Sequence, residues 1–317
     1  MIYFQAAAPV RPVLPVLLLT VLLTACADSS NDVRPTGGEP YAELFAQGIA
    51  RYLGLYSPML SEPQADYVQH TFGAGDGPLC GNGSQYTMAT RDQGSQDLLI
   101  FIEGGGACWS EFCLYIDNAA TGIPGTGILD TQRDDNPLGA WNQVYMPYCD
   151  GSLMSGDIDV DTDGDGDVDR YQRGLHNFSA ALDVAANTFP APRRILLAGQ
   201  SGGALSTIFA LPLLRKVYTD APIDVLNDSG VGVALPGQPE FLLQLIDDWN
   251  MRAFLPASCS ECIPDDGHFT EYLGWQLDQD SQVRRAFTSY SRDTSLADVY
   301  LQIGGAAFQE ALLAEMQ

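Results

Sequence analysis

Three observations predict an α/β fold with a mostly parallel central sheet flanked by helices. Short apolar runs of strand length alternate with stretches of helical spacing beyond Pro40. Several of those runs end in glycine-containing turns, and the best defined of these opens directly into a helical stretch, the connection that a parallel sheet requires. Hydrophobic residues make up 46% of the 317-residue chain, too many for a disordered segment and enough for one large core.

The charge balance excludes one class of partner. Forty acidic residues against 15 basic ones leave a formal net charge of −25. Without a basic stripe to neutralise phosphates, the chain is not expected to bind nucleic acid. Only one of the basic residues, Lys216, is a lysine. So acidic a surface stays soluble in concentrated salt.

Taken from the amino terminus, Arg11 precedes an apolar run over residues 12–23 that is of signal-peptide length and too short and proline-broken to span a membrane. It leads into Leu23-Thr24-Ala25-Cys26, which resembles the bacterial lipobox, whose cysteine is lipidated and becomes the new first residue. Residues 1–25 are therefore expected to be a lipoprotein signal peptide. Cys26 with residues 27–40, rich in Asp, Ser, Asn, Gly and Pro, would form a lipidated tether, and residues 41–317 a single domain. The expected location is the bacterial cell envelope, with membrane contact through the lipid.

Six further cysteines, an even number in an exported chain, favour disulfides over free thiols, with 15 pairings open. Cys108 and Cys113, close together beside a glycine-rich turn, are the favoured pair. Cys259-Ser260-Glu261-Cys262 has the look of half a zinc site, but no second Cys/His pair accompanies it.

The elements follow in order. Residues 41–55 have helical spacing. Residues 98–102 read as a buried strand ending at Glu103-Gly104-Gly105-Gly106, and residues 144–146 as another. Residues 194–198 form a third strand that enters Gly199-Gln200-Ser201-Gly202-Gly203, followed by a helix over 204–218 that Pro212 is expected to kink. A fourth strand, 223–226, ends at Asn227-Asp228-Ser229-Gly230, and residues 306–316 read as a helix. No internal repeat is present.

Strand, G-x-S-x-G and helix together form a nucleophile elbow. The sharp turn holds its serine in a strained conformation, glycines on either side keep neighbouring atoms clear, and the helix N-terminus aims amides at the charge formed when Ser201 attacks a carbonyl. The Gly104–Gly106 loop follows an earlier strand, where backbone N–H groups of Gly104, Gly105 and Gly202 can converge on one oxyanion. Losing one such donor typically costs about 3 kcal/mol of transition-state stabilisation.

These residues belong to a longer series: Leu79-Cys80-Gly81-Asn82-Gly83-Ser84, Phe101 to Trp109, Met146-Pro147-Tyr148-Cys149-Asp150-Gly151, Leu197 to Gly203 and Asp228-Ser229-Gly230. In that order they resemble the pectin acetylesterase/Notum family over roughly residues 79–300. The resemblance implies an α/β-hydrolase-like fold and metal-free carboxylic-ester hydrolysis, removing acetyl groups from pectin or a fatty acyl group from a signalling protein. Ser201 matches the family nucleophile, and Gly104, Gly105 and Gly202 match the oxyanion positions. Gln200-Ser201-Gly202 departs from it, since many members carry a small residue before the serine and alanine after it.

A serine nucleophile needs a base, most often a histidine held by a carboxylate. The chain has three histidines, His70, His176 and His268. One assignment is Ser201, Asp228 and His268. In the other the acid is Asp293, which matches the family's acid; the family histidine would then follow it, and no histidine does. The expectation is that a C-terminal strand and a histidine-bearing loop lie beyond Gln317, the alternative being a catalytically impaired relative. His176 and His70 read as structural. Trp109 and Tyr148 are expected either to line an acyl pocket or to be plain core aromatics.

Residues 157–169 carry seven aspartates in 13 positions. Counted from Asp161, acidic residues fall at positions 1, 3, 5, 7 and 9 (Asp161, Asp163, Asp165, Asp167 and Asp169), with Gly166 at 6 and Val168 at 8. This matches the first nine positions of an EF-hand-type loop, while Gln172 stands where the bidentate glutamate belongs. A structural Ca²⁺ that orders the loop is expected; no cofactor is expected for catalysis. The leading functional expectation is a serine esterase of the cell envelope that deacetylates a polysaccharide or a small acyl ester. A lipase-like or acyl-protein esterase, or a calcium-stabilised surface binding lipoprotein, is the alternative. A protein at −25 would repel polygalacturonate unless salt or calcium intervened.

Overall fold

The computed structural model describes residues 2–5, 38–75 and 77–316; the expected lipidation site Cys26, the apolar run and most of the tether lie outside them. The amino-terminal elements are β1 (Ile2–Gln5), α1 (Ala42–Ala46), β2 (Leu60–Pro63), β3 (Val68–Thr71), β4 (Thr87–Arg91) and β5 (Asp97–Ile102). Next come β6 (Gly106–Cys108), β7 (Cys113–Tyr115), β8 (Asn142–Met146), β9 (Ile158–Val160) and β10 (Arg170–Gln172). The carboxy-terminal part comprises α2 (Gly174–Thr188), β11 (Arg194–Gln200), α3 (Gly202–Val217), β12 (Ile223–Asp228), α4 (Pro239–Asp248), α5 (Thr270–Gln279), β13 (Arg284–Ser289) and α6 (Gly304–Ala314).

A nine-stranded sheet in the order β1-β13-β12-β11-β5-β8-β4-β3-β2 organises the chain. Strands β8, β5, β11, β12 and β13 are parallel neighbours. Antiparallel pairings extend the sheet through β4, β3 and β2 on one side and β1 on the other. The expected mostly parallel sheet flanked by helices is what the chain forms. Strand β5, Asp-Leu-Leu-Ile-Phe-Ile, is almost continuously apolar because both of its faces are covered. Leu98, Ile100 and Ile102 belong to the large core that includes α2 and α3. Leu99 belongs to a smaller cluster with Tyr145, Ala198 and Leu129 on the other face. Register aligns Gly199 of β11 with Ile102 of β5, and Gln200 with Asp228 of β12. Three strands thus finish together at the carboxyl edge, where open α/β sheets bind ligands.

Three expectations change in detail. Only Ala42–Ala46 of residues 41–55 is helical, the rest being turns, with Gly48 and Gly54 both at positive φ (93° and 80°). The helix over 204–218 starts two residues earlier, at Gly202. Pro212 lies inside α3, where its missing N–H leaves the Ile208 carbonyl without its helical donor. The Gln276 amide of α5 supplies a replacement at 2.8 Å.

The cysteines form Cys80–Cys149, Cys108–Cys113 and Cys259–Cys262 disulfides, so the last pair is a cross-link and not half a zinc site. No helix among the described residues is long and apolar enough to cross a membrane.

Buried Asp97, at the start of β5, accepts hydrogen bonds from Arg193 (2.8 and 2.6 Å) and Arg194 (2.9 Å), tying β5 to the entry of β11. Hydrogen bonding to Arg193 holds its carboxyl down at about 2, against about 3.9 in an unfolded chain. A depressed folded value means that the contribution is complete above the unfolded value and disappears as acid protonates the folded carboxylate. Asp97→Asn should therefore melt below the wild type near neutral pH, with the gap closing between about pH 4 and about pH 2; a gap constant across that range would contradict the assignment.

Candidate active site

Ser201 stands between β11 and α3 at φ 53° and ψ −123°, a region that non-glycine residues enter only when their surroundings enforce it. Its N–H donates to the Asp228 carbonyl of β12 at 2.8 Å, and its carbonyl accepts from Leu205 N–H of α3 at 3.1 Å. The glycines around it are required by close approach. A Cβ on Gly199 would overlap the Gly203 carbonyl, and one on Gly203 would overlap the carbonyl oxygens of Ile102 and Glu103. With bare glycine at both positions, α3 starts pressed against the ends of β5 and β11. The turn that results exposes Ser201 above the sheet edge.

The Gly104–Gly106 loop lies against this turn. A Cβ on Gly104 would be 2.6 Å from the Gln200 carbonyl and 3.0 Å from Ser201 Cβ; one on Gly202 would be 3.3 Å from Gly106 N and 3.6 Å from Gly105 N. The structure therefore brings Gly104, Gly105, Gly202 and Ser201 together. The Tyr148 ring fills the space behind Gly105, where a Cβ would overlap it, and the Gly105 carbonyl accepts from Ile116 N–H at 2.7 Å. Tyr148 is fully buried, and its hydroxyl accepts from Leu153 N–H at 3.0 Å. It underlies the loop and does not line the cavity.

Beside Ser201 opens a cavity of about 70 Å³ whose walls include Trp109, Leu153, Leu205, Val233, Phe241 and Leu245. Apart from the serine hydroxyl, this lining offers aliphatic and aromatic carbon, which suits an acyl chain. Trp109 lines this cavity and also belongs to the main core. Phe241 and Leu245 come from α4, whose amphipathic pattern is legible in sequence, although nothing local shows where its apolar face docks.

The candidate acids lie in different surroundings. Asp293, buried in the loop after β13, uses Oδ1 to accept from Ser295 N–H (3.0 Å) and Leu296 N–H (3.1 Å), and Leu296 lines the Ser201 cavity. Asp228 accepts from Thr288 Oγ1 at 2.7 Å and Ser229 Oγ at 3.3 Å. It borders a second cavity with Glu103, Tyr145 and Gln200. Buried His268 accepts through Nδ1 from Ala234 N–H at 3.0 Å, and bonds to neither aspartate. Among the described residues no histidine bonds to Ser201.

The other two histidines are structural. His176 Nε2 meets Asp157 at 2.7 Å, Nδ1 meets Tyr56 at 2.7 Å, and the ring stacks on Tyr52 at 3.8 Å. Asp157 is also paired with Arg51. His70 bridges Ser61 and Thr90, each at 2.9 Å, and burial lowers its pKa.

Strands β9 and β10 pair as a ribbon whose connection carries the aspartate run. Carboxylate oxygens of Asp161, Asp163 and Asp169, all exposed, come within 4.8 Å of one another. Asp165 and Asp167 are outside that group. Asp161 accepts from Gly164 N–H (2.7 Å) and Gly166 N–H (2.9 Å), and both glycines have positive φ.

Two glycine substitutions test the elbow packing. Gly203→Ala must displace two strand carbonyls and should lose about 1–3 kcal/mol in denaturant unfolding. Gly274→Ala, in α5 with open space around its Cβ, should be neutral or gain up to about 1 kcal/mol. Equal effects would refute the close approach.

The pectinacetylesterase family model matches residues 64–238. Pectin acetylesterase 4 of Arabidopsis thaliana is 28% identical over 149 residues, covering 43% of this chain and 36% of the relative. Pectin acetylesterase 11 of the same plant is 25% identical over 205 residues, covering 58% and 51%. The palmitoleoyl-protein carboxylesterase notum2 of Xenopus laevis is 29% identical over 173 residues, covering 48% and 33%. The chain thus spans between a third and about half the length of these curated relatives.

Proposed function

The chain belongs to the pectinacetylesterase family, and from that premise we propose that it is a serine carboxylesterase that removes acetyl or other short acyl groups from a polysaccharide. One observation carries this reading: a serine at φ 53°, with the Gly104–Gly106 loop against it, opens on an apolar cavity. Ser201 Oγ attacks the ester carbonyl while the acyl group occupies the cavity. Amides of Gly104, Gly105 and Gly202, with the N-terminus of α3, receive the oxyanion. The alcohol then leaves with a proton, and water releases the acyl group from Ser201.

Asp293 is the preferred acid. It follows β13, in the Ser-then-acid order of this chemistry, and its loop borders the Ser201 cavity. Asp228 with His268 is the alternative, and His268 is the one histidine of the sequence that follows Ser201. The cavity, about 70 Å³, is small beside the several hundred Å³ of sites for drug-sized ligands, which favours a short acyl group. Its largely apolar walls are what favours the second reading, a lipase-like or acyl-protein esterase. The proposal includes anchoring at the cell envelope through lipidated Cys26, with edge strand β1 removed together with residues 1–25 and β13 left as the edge of the sheet, and the three disulfides support an oxidising compartment.

A structural Ca²⁺ is also part of the proposal. Asp161, Asp163 and Asp169 offer hard oxygen ligands, and a divalent cation would relieve their mutual repulsion and order the ribbon connection.

Ser201→Ala should abolish p-nitrophenyl acetate hydrolysis, a fall of at least about 1000-fold, with an unchanged melting temperature. Activity retained in Ser201→Ala would overturn the nucleophile assignment. Asp293→Asn, Asp228→Asn and His268→Ala in the same assay identify the acid and the base. Millimolar calcium should raise the melting temperature over that in chelator. Asp161→Asn should remove most of the rise, and no rise in the wild type would dispose of the metal.

A further inference from the structure

Beyond β8 the chain makes a turn in which Gly151 (φ 69°), Leu153 (φ 56°) and Met154 (φ 54°) all hold left-handed backbone. Glycine enters that region freely, but a leucine and a methionine in succession do so only where their surroundings enforce it. Leu153 lines the Ser201 cavity, and Met154 is buried in the main core. The strain therefore sits in a stretch that supplies part of the acyl wall.

The enforcement comes from Asp150, which is fully buried. Its Oδ2 accepts from Ser152 N–H at 2.9 Å, the Ser152 hydroxyl at 2.5 Å and Met154 N–H at 3.2 Å. Leu153 N–H, between them, donates to the Tyr148 hydroxyl at 3.0 Å. The amides of 152, 153 and 154 thus all end on buried side-chain oxygens, which fixes the strained turn. Among the described residues no basic side chain forms an ion pair with Asp150, and burial pushes its pKa up. The first residue of α2 is pressed against it, since a Cβ on Gly174 would lie 2.5 Å from Oδ2, and the positive end of that helix favours the carboxylate. A buried carboxyl without a counter-ion is expensive, and the work it does here is to hold this turn.

Resting on the reading of the Ser201 cavity as an acyl site, we propose that Asp150 is a positioning residue for acyl-chain length. It locks the 151–154 turn so that Leu153 bounds the cavity at a fixed place. Asp150 touches no substrate and acts through Leu153 alone. A wall held by this many hydrogen bonds does not yield to an extra methylene, whereas a released turn does. Selection for a short acyl group then resides in the 150–154 turn as well as in the α4 side chains.

The test reads binding and needs no turnover. The full chain is titrated with neutral N-methylamides of straight-chain acids from acetic to octanoic, followed by tryptophan fluorescence, because Trp109 and Trp249 both line the cavity. Each methylene that enters should tighten binding about fourfold, up to the length at which the wild-type wall stops the chain. Leu153→Ala should move that limit to longer chains, binding the next homologue about fourfold tighter than the wild type does. Asp150→Ala should move it the same way. Asp150→Asn, which can present an oxygen where Oδ2 accepts, should return it to the wild-type length. Ser152→Ala, which removes one donor, should also lengthen the limit and serves if Asp150→Ala fails to fold. A merely structural carboxyl would lower the melting temperature and weaken all chain lengths alike, so an unchanged limit in both Asp150→Ala and Ser152→Ala would overturn the proposal. A wild type whose affinity rises without limit would do the same. An unchanged limit leaves the esterase reading standing, which loss of hydrolysis in Ser201→Ala tests by itself, while a wild type that binds none of the amides would remove the acyl cavity and this proposal together.

Discussion

The contact between Gly203 and the Ile102 and Glu103 carbonyls is the constraint on which the rest of the molecule depends. It lets α3 begin against the ends of β5 and β11, and that approach forces Ser201 into its left-handed conformation. The Gly104–Gly106 loop leaves β5 at the same point, so one close approach places both Ser201 and the glycine loop beside it. A single methylene at Gly203 would separate them. Strain at Ser201 is tolerated because its N–H and carbonyl are both hydrogen-bonded, to β12 and to α3.

Support for the site comes from outside the elbow. Tyr148, delivered by the end of β8, fills the space behind Gly105, and Cys149 beside it is bonded to Cys80. The Gly104–Gly106 loop is thus backed by a fully buried ring whose chain neighbour is cross-linked to the segment before β4. On the far side, α4 and the loop after β13 close the cavity with apolar side chains.

Charge follows a similar economy. Most of the few basic residues are committed to ion pairs that fasten elements together, including Arg193 and Arg194 on Asp97, Arg215 on Asp280, and Arg91 on Asp66. Arg215 and Asp280 are both buried, so that pair ties α3 to the end of α5 where screening is weak. Excess carboxylates collect on the surface, above all on the β9–β10 connection. The electrostatic face offered to a polymer is consequently acidic.

Strands β5, β8, β11 and β12, the turn around Ser201 and the Gly104–Gly106 loop were legible in the sequence because each is encoded within about ten residues, whereas β2, β3, β4 and β13 were not. An apolar run followed by Gly-x-Ser-x-Gly has few conformations open to it, and the Cys108–Cys113 pair is nearly as local. Residues 41–55 misled because helical spacing survives in a chain of turns once glycines at 48 and 54 break the backbone pattern. The sequence by itself determined the sheet, the serine turn, the glycine loop and the surplus of acid. Tertiary structure alone decided that Leu296, bonded to Asp293, lines the Ser201 cavity while Asp228 borders another, that Tyr148 underlies the loop, and that Trp109 lines the cavity. Those relations join residues tens to hundreds of positions apart, and they are set by packing across the sheet edge, which leaves no local periodicity to read.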